Sequence, residues 1–229
     1  MMKKNTRLIL ALDEIDKQRA LKIAEELSGI VDAIKINWPL VLHSSPSIIT
    51  EISKLCDVIC DFKVADIPNT VRLIVERAVD LGASGIIVHG FVGHDSVCEA
   101  VRSAGESADV FVVTEMSHPG GKEFTAPVAE RLAALAVECG ASGVIAPATR
   151  LDRLKAIRKI VGDLLILAPG VGAQGGSAGD AISMGADYVI VGRSIYESAN
   201  PKGVAKAICE EIANRLENDR SSVSEKVSR

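Results

Sequence analysis

The sequence predicts an α/β protein that folds as a single (β/α)₈ barrel, and three observations support this. Eight short apolar runs, most of them β-branched, have the length of buried strands. Segments with an amphipathic helical pattern lie between them. Polar side chains stand at the carboxyl ends of nearly all the runs. An open doubly wound sheet would concentrate such residues near one switch point, so their spread favours a closed barrel.

The predicted strands and helices alternate along the chain. The strands are expected at residues 7–13, 32–37, 57–63, 85–90, 110–115, 143–148, 164–170 and 188–192. Helical patterns are clear at residues 17–29, 70–83, 128–141 and 203–216, and several of them end at glycine, a common helix stop. We therefore predict a catalytic barrel domain over residues 1–217, followed by a polar, disordered tail over residues 218–229.

Composition limits the classes of partner. Hydrophobic residues make up 48% of the 229 residues and aromatic residues only 3%, so the core must be aliphatic. The net charge is −4 and no basic block is present, which argues against nucleic acid. No apolar stretch has membrane-spanning length, and we expect a cytoplasmic protein.

The five cysteines have no metal-site or disulfide spacing and are expected to be reduced apolar fillers.

The densest chemical signal is DFKVADIPNT at residues 61–70. Asp61 and Lys63 are two apart on a strand, so their side chains are expected on one face, with Asp66 on the following loop. Lys35 adds a second cation on the neighbouring strand. A lysine between carboxylates stays protonated, so it can donate a proton or stabilise a carbanion and does not suit Schiff-base chemistry. The alternative is a purely structural ion-pair network, but desolvating its charges would cost free energy without any functional benefit.

Two further segments suggest a binding site for a phosphorylated ligand. APGVGAQGG (168–176) and VGRS (191–194) follow the seventh and eighth strands, where barrels often bind phosphate. Glycines allow backbone N–H groups to approach an anion, a helix N-terminus adds a favourable dipole, and Arg193 can bind it bidentately. The alternative to a phosphate site is that the glycines serve only to form tight turns. TEMSHPGGKEF (114–124) is long and polar enough to be a lid.

Within that lid segment, Ser117 is suited to hydrogen-bond a planar heterocycle, and His118 is expected to be an ordinary loop histidine. His89, at the end of the fourth strand, is expected to be a hydrogen-bonded polar group at the barrel end.

Together these motifs resemble the orotidine 5′-monophosphate decarboxylase family across residues 7–216. The motifs that carry the resemblance are LALD (10–13), IKIN (34–37), DFKVADIPNT (61–70), IIVHGF (86–91), TEMSHPG (114–120), PGVGAQGG (169–176) and VGRSIY (191–196). D-x-K-x-x-D alone marks a wider suprafamily, and the combination with TEMSHPG and PGVGAQGG is much more specific. The resemblance implies removal of CO₂ from orotidine 5′-monophosphate to make UMP, with no metal and no organic cofactor.

The resemblance also implies roles for particular residues. Lys63 would stabilise and protonate the C6 carbanion, Asp61 would hold Lys63 near the substrate carboxylate, and Lys35 and Asp66 would complete the catalytic set. The enzyme would be a homodimer, with Asp66, Ile67 and Thr70 contributed across the interface. The substrate-binding residues would be Asp13, Lys35, Ile67, Thr70, Ser117, Pro169, Val171, Gln174, Gly192 and Arg193.

Two other functions remain open from the sequence. One is a Mg²⁺-dependent hexulose-phosphate synthase or keto-gulonate-phosphate decarboxylase of the same suprafamily. Such enzymes carry a metal-binding glutamate near the end of strand two, where this chain has Lys35, which would repel a divalent cation. The other is a non-catalytic nucleotide-binding barrel, which would keep the phosphate loop but would not need the charged residues.

Overall fold

The computed structural model describes residues 4–227, with only the backbone described at residue 220 and from 222 onward. Eight parallel strands form a closed barrel in sequence order, which confirms the predicted fold class. The strands are β1 Leu8–Leu12, β2 Ala33–Ile36, β3 Val58–Val64, β4 Gly85–His89, β5 Asp109–Val113, β6 Gly143–Ile145, β7 Leu165–Pro169 and β8 Tyr188–Val191.

Helices connect the strands and surround the barrel. They are α1 Lys17–Leu27, α2 Trp38–His43, α3 Ser47–Ser53, α4 Pro68–Asp80, α5 His94–Ala104, α6 Gly121–Phe124, α7 Ala129–Glu138, α8 Leu151–Val161, α9 Ala178–Ser183, α10 Arg193–Tyr196 and α11 Pro201–Val227. Helix α4 begins at Pro68, whose fixed φ and missing N–H suit the first turn of a helix. None of the described helices is long and apolar enough to cross a membrane.

The alternation of side chains along each strand divides the core into two apolar regions. One region lies between the strands and the helices. The other fills the barrel and consists of Ile9, Ala11, Ala33, Ile59, Ile87, Phe111, Val113, Ile145, Leu165, Leu167, Tyr188 and Ile190. The interior is therefore a packed core, as in other barrels of this kind.

The same alternation, in which every second side chain points inward, brings polar groups to the carboxyl end of the barrel. Beyond the interior residues Ala11, Ala33 and Ile59, the next inward positions are Asp13, Lys35 and Asp61. On β5, Val113 is likewise followed by Glu115. The strands thus surround a polar site with an apolar floor.

The last helix, α11, runs from Pro201 to Val227 and so continues past residue 217. The predicted disorder of the tail, residues 218–229, stays a prediction.

Two cysteines depart from the expectation of reduced apolar fillers. Cys98 on α5 and Cys139 at the end of α7 form a disulfide, so the expectation is wrong for this pair. Their spacing of 41 residues gave no signal, because helix packing alone brings them together. Cys60 is a buried free thiol, and Cys56 and Cys209 are half-buried and free.

The packing of the barrel interior leads to a stability prediction. Phe111 is fully buried there, whereas Phe124 on α6 is 79% exposed. We expect Phe111→Ala to lower the free energy of unfolding by about 3–5 kcal/mol, because it removes a buried ring and leaves a cavity. Phe124→Ala should change it by less than about 0.5 kcal/mol. Urea unfolding measures both values, and equal effects would contradict the packing described.

His89, at the end of β4, is not the hydrogen-bonded group that the sequence suggested. Its Nδ1 is buried and has no hydrogen-bond partner among the described residues. Burial, and then the nearby charge of Lys63, lower the pKa of the ring from 6.5 to about 4. The ring is therefore neutral at neutral pH in the folded chain.

This shift makes stability depend on pH. Between pH 6.5 and about 4 the unfolded chain binds a proton at residue 89 that the folded chain does not bind, so stability should fall as the pH falls through this range. In His89→Gln this contribution is absent, and the free energy of unfolding should decline less over the same range. Denaturant titrations at several pH values measure the difference. Parallel curves for the two proteins would contradict the assignment.

Candidate active site

A pocket opens at the carboxyl end of the barrel. Its lining includes ten of the residues predicted for the site: Asp13, Lys35, Asp61, Lys63, Ser117, Pro169, Val171, Gln174, Gly192 and Arg193. Ile87, Val113, Ile145 and Ile190 form its apolar floor. Charged side chains above an apolar floor suit a ligand that has both polar groups and a flat, less polar ring.

Three charged side chains form an ion-pair cluster on one wall. Lys35 Nζ lies 2.8 Å from Asp61 Oδ2, and Lys63 Nζ lies 2.8 Å from Asp61 Oδ1. The side chains of Lys35 and Asp61 are only 6% and 7% exposed, whereas that of Lys63 is 32% exposed. The aspartate is thus held between two ammonium groups, and Lys63 is the one that a ligand can reach.

A distortion of β3 sets the position of Lys63. The pairing of β3 with β4 shifts register between Cys60 and Val64, and Lys63 has a φ of 44°. Bulges and left-handed non-glycine residues are strained features that often occur at functional sites. Phe62 points away from the pocket and stacks on Trp38, with ring centroids 4.3 Å apart. The indole N–H of Trp38 also donates to the Phe62 carbonyl at 3.1 Å, which holds the distorted segment from outside.

Opposing effects act on Asp61. Burial alone would raise the pKa of its carboxyl group, but the charges and hydrogen bonds of Lys35 and Lys63 outweigh burial and lower the pKa below the ordinary value of 3.8. Asp61 is therefore a carboxylate at neutral pH. Asp13 adds a further carboxylate, with Oδ1 3.9 Å from Lys35 Nζ. That oxygen is buried and accepts no hydrogen bond from the described residues, so it is available to a ligand hydroxyl.

The expected grouping of Asp66 with these charges is not found within one chain. Asp66 and Ile67 are exposed on the loop after β3, and neither they nor Thr70 lines the pocket. The Asp66 carbonyl accepts a hydrogen bond from the buried Ser96 hydroxyl at 2.8 Å, and Asp66 Oδ1 accepts one from the Ile67 N–H at 2.7 Å. The loop is thus held in place, with these side chains outside the chain's own pocket.

The opposite wall is the glycine-rich loop after β7. Gly170 has a φ of 104°, and its carbonyl accepts a hydrogen bond from the Gly176 N–H at 3.0 Å, which closes the loop. A Cβ atom at Gly170 would lie 3.4 Å from Gln174 Oε1 and 3.7 Å from Ser117 Cβ, so the loops that carry these two residues meet here. Arg193 is exposed beside the pocket, and no described carboxylate pairs with it. The guanidinium is free to bind an anion.

Sequence reasoning missed an ion-pair network under the lid segment. Glu115 is fully buried, and its two oxygens bind Arg150 Nε at 2.7 Å and Arg153 Nε at 3.1 Å. Arg150 also donates to the carbonyls of Met116 and Ser117. The network therefore positions Ser117 from below. Glu115 is one of the polar residues that the sequence pattern places at the strand ends, but nothing in the sequence linked it to the arginines.

Two other residues complete the comparison with the predicted site. Asn37 lines the pocket and caps α2, with its Oδ1 accepting from the Trp38 N–H. His118 is exposed and does not line the pocket, as expected of a loop histidine.

Comparisons with known proteins identify the family of this chain. The chain is 60% identical over 213 residues to an orotidine 5′-phosphate decarboxylase of Methanococcoides burtonii, covering 92% of this chain and 99% of the relative. It is 54% identical to that of Methanosarcina acetivorans, covering 94% and 98%. The solved structure of the Methanocaldococcus jannaschii orotidine 5′-monophosphate decarboxylase, complexed with the inhibitor BMP, superposes with a TM-score of 0.86 at 48% identity, covering 93% and 99%. Residues 6–208 match the model of one family, so the chain belongs to the orotidine 5′-phosphate decarboxylase / HUMPS family.

Proposed function

We propose that this chain is a decarboxylase that converts orotidine 5′-monophosphate to UMP and CO₂, the last step of de novo pyrimidine biosynthesis. The observation that carries the proposal is the buried Lys35–Asp61–Lys63 cluster at the wall of the pocket. Relatives that match almost the whole chain bear the same activity in their names. Because a nucleotide substrate is charged and does not cross membranes freely, we also propose a cytoplasmic location.

The cluster suits the chemistry of this reaction. Loss of CO₂ from C6 leaves an electron pair with little delocalisation, so a fixed positive charge must stabilise it. Lys63 is the partly exposed ammonium, and the carboxylate of Asp61 at 2.8 Å holds it in place. The Lys63 ammonium then transfers a proton to C6, which completes UMP, and recovers a proton from solvent. Asp61 would lie close to the substrate carboxylate, where repulsion would be relieved as CO₂ leaves.

The remaining residues of the pocket bind the unreactive parts of the nucleotide. Gln174, Arg193 and the backbone of Gly192 would bind the phosphate. Asp13 Oδ1, which accepts no hydrogen bond from the described residues, would join Lys35 in binding ribose hydroxyls. Ser117 would hydrogen-bond the pyrimidine. Pro169 and Val171 would pack against it. Binding energy from the phosphate can close the loops that carry Gln174 and Ser117 over the ring.

We further propose that the active enzyme is a homodimer whose pockets are completed across the interface. Large apolar side chains are exposed on neighbouring elements near Asp66: Trp38 is 41% exposed, Ile67 66% and Leu73 52%. Thr70 lies in an apolar groove with Trp38 and Leu73. A symmetric partner that covers this surface would receive Asp66, Ile67 and Thr70 in its own pocket. This arrangement accounts for the direction in which the loop presents these side chains.

A magnesium-dependent sugar-phosphate reaction fits the pocket less well. Lys35 occupies the position of the metal-binding glutamate in those enzymes. A divalent cation at Asp61 would face two ammonium groups, each 2.8 Å from the carboxylate. A non-catalytic nucleotide-binding barrel has no use for this cluster, because burying its charges costs several kcal/mol per ion.

The activity can be tested with and without metal. Purified protein in excess EDTA should consume orotidine 5′-monophosphate, followed by the loss of its absorbance, because none of the proposed steps uses a metal. Lys63→Ala should lower kcat by roughly 10³-fold or more, since it removes the stabilising charge and the proton donor. Lys54→Ala, on the exposed end of α3, is the matched control and should be unchanged. A folded wild-type protein without turnover would contradict the proposal, and activity that requires Mg²⁺ would favour the sugar-phosphate alternative.

The shared pocket can be tested by mixing two inactive variants. Lys63→Ala and Asp66→Asn should each be nearly inactive alone. After exchange of subunits at equal concentrations, half of the dimers are mixed and one of their two pockets is intact, so about a quarter of wild-type activity should return. If Asp66 served its own chain, every pocket would keep one defect and no activity would return. Analytical ultracentrifugation checks that mixed dimers form.

A further inference from the structure

Three potential metal ligands form a cluster outside the pocket. His94 and Cys98 are four residues apart on α5, so their side chains lie on one face of the helix. Cys139, at the carboxyl end of α7, is bonded to Cys98. The imidazole and the two sulfurs all lie within 4.8 Å of one another. None of the three residues lines the pocket, and the proposed decarboxylation does not use them.

We propose that His94, Cys98 and Cys139 form a binding site for Zn²⁺ that opens when the Cys98–Cys139 disulfide is reduced. Two thiolates and one imidazole are the ligands that zinc prefers in proteins, and three protein ligands with water in the fourth position form a complete zinc shell. In the oxidised chain the sulfurs are bonded to each other and the site is closed.

The geometry already suits the cation in one respect. Cys98 Sγ lies 3.5 Å from His94 Nδ1 and 3.6 Å from Nε2. With bonds of about 2.3 Å to sulfur and about 2.0 Å to nitrogen, tetrahedral ligands are separated by roughly 3.5 Å for an S–N pair. The sulfur and the ring thus stand at the required distance. The two sulfurs must separate, which breaking their bond allows.

The surroundings favour access and exchange. His94 is exposed, and Cys98 and Cys139 are half-buried, so a reductant and a cation can both reach the cluster. Cys139 Sγ also lies 3.5 Å from the His94 carbonyl oxygen, so the end of α7 lies beside the first turn of α5. The three ligands therefore come from two neighbouring helices.

The other cysteines do not share these features. Burial and neighbouring carboxylates raise the pKa of Cys56 to about 11 and that of Cys60 to about 12. Burial also raises the pKa of Cys209. No histidine is grouped with these thiols among the described residues. They provide internal controls within the same chain.

The chemistry balances with a dithiol or phosphine reductant. Two electrons from the reductant break the S–S bond, and two protons complete the Cys98 and Cys139 thiols. Zn²⁺ then displaces both thiol protons and accepts an electron pair from each thiolate and from the neutral imidazole. A low-molecular-weight disulfide accepts two electrons from the two thiolates, which releases the cation and restores the Cys98–Cys139 bond.

The test compares metal binding by reduced and oxidised protein. The protein is reduced anaerobically with a phosphine, freed of metal and titrated with Zn²⁺ against a chromophoric chelator. Co²⁺ provides a second readout through its thiolate charge-transfer absorption. Reduced wild type should bind one equivalent, and oxidised wild type should bind none. Binding to the oxidised protein with equal affinity, or no binding to reduced protein whose thiols are titratable, would overturn the proposal.

Variants identify the ligands. Cys98→Ser and Cys139→Ser should each abolish binding and the cobalt–thiolate absorption, and His94→Gln should weaken binding at least about 10-fold, the loss that even an outer-shell change produces. Cys209→Ser is the matched control and should bind as wild type does. Far-UV circular dichroism establishes that each variant is folded. If folded Cys98→Ser and Cys139→Ser bound Zn²⁺ as tightly as wild type, the cation would lie elsewhere and the assignment would be wrong.

Discussion

The buried carboxylate of Asp61, held between the ammonium groups of Lys35 and Lys63, is the interaction on which the site depends. Removing Asp61 would leave two neighbouring ammonium groups without their shared counter-charge, one of them buried, which is costly. The two lysines differ in exposure, at 6% and 32%, and this asymmetry separates their roles. The buried lysine pairs with the carboxylate inside the barrel end, and the more exposed one faces the pocket.

Much of the surrounding structure holds this cluster in place. The bulge in β3 sets the position of Lys63, and the stacking of Phe62 on Trp38 packs the outer side of the same segment. Across the pocket, Glu115 and Arg150 hold the carbonyls of Met116 and Ser117 from beneath. The charged wall is therefore built on β3, whereas the segment that carries Ser117 rests on the Glu115–Arg150 ion pair. Fixed charges of this kind suit electrostatic stabilisation of a charge that develops in a bound ligand.

The periodic spacing of apolar residues along the sequence was sufficient to predict the barrel and most of the pocket. The eight apolar runs became the eight strands, and the polar residue two positions past an interior residue turned inward at Asp13, Lys35 and Asp61. This spacing could not predict the left-handed backbone conformation of Lys63. That conformation is a local strain, and the contacts of Trp38 with the neighbouring Phe62 hold the segment in place. Nor could the spacing show that the ring nitrogen of His89 lacks a hydrogen-bond partner, because hydrogen bonding at a barrel end depends on neighbouring strands.

By itself, the sequence determined the fold class, the order of the strands and the identity of the charged residues at their ends, because each of these follows from local periodicity. Tertiary structure alone decided which distant residues meet. Arg150 and Arg153 reach Glu115 from another βα unit, and Cys98 meets Cys139 across two helices. It also decided that Asp66 turns away from its own pocket. Such contacts depend on the closure of the barrel and the packing of its helices, which no local pattern encodes.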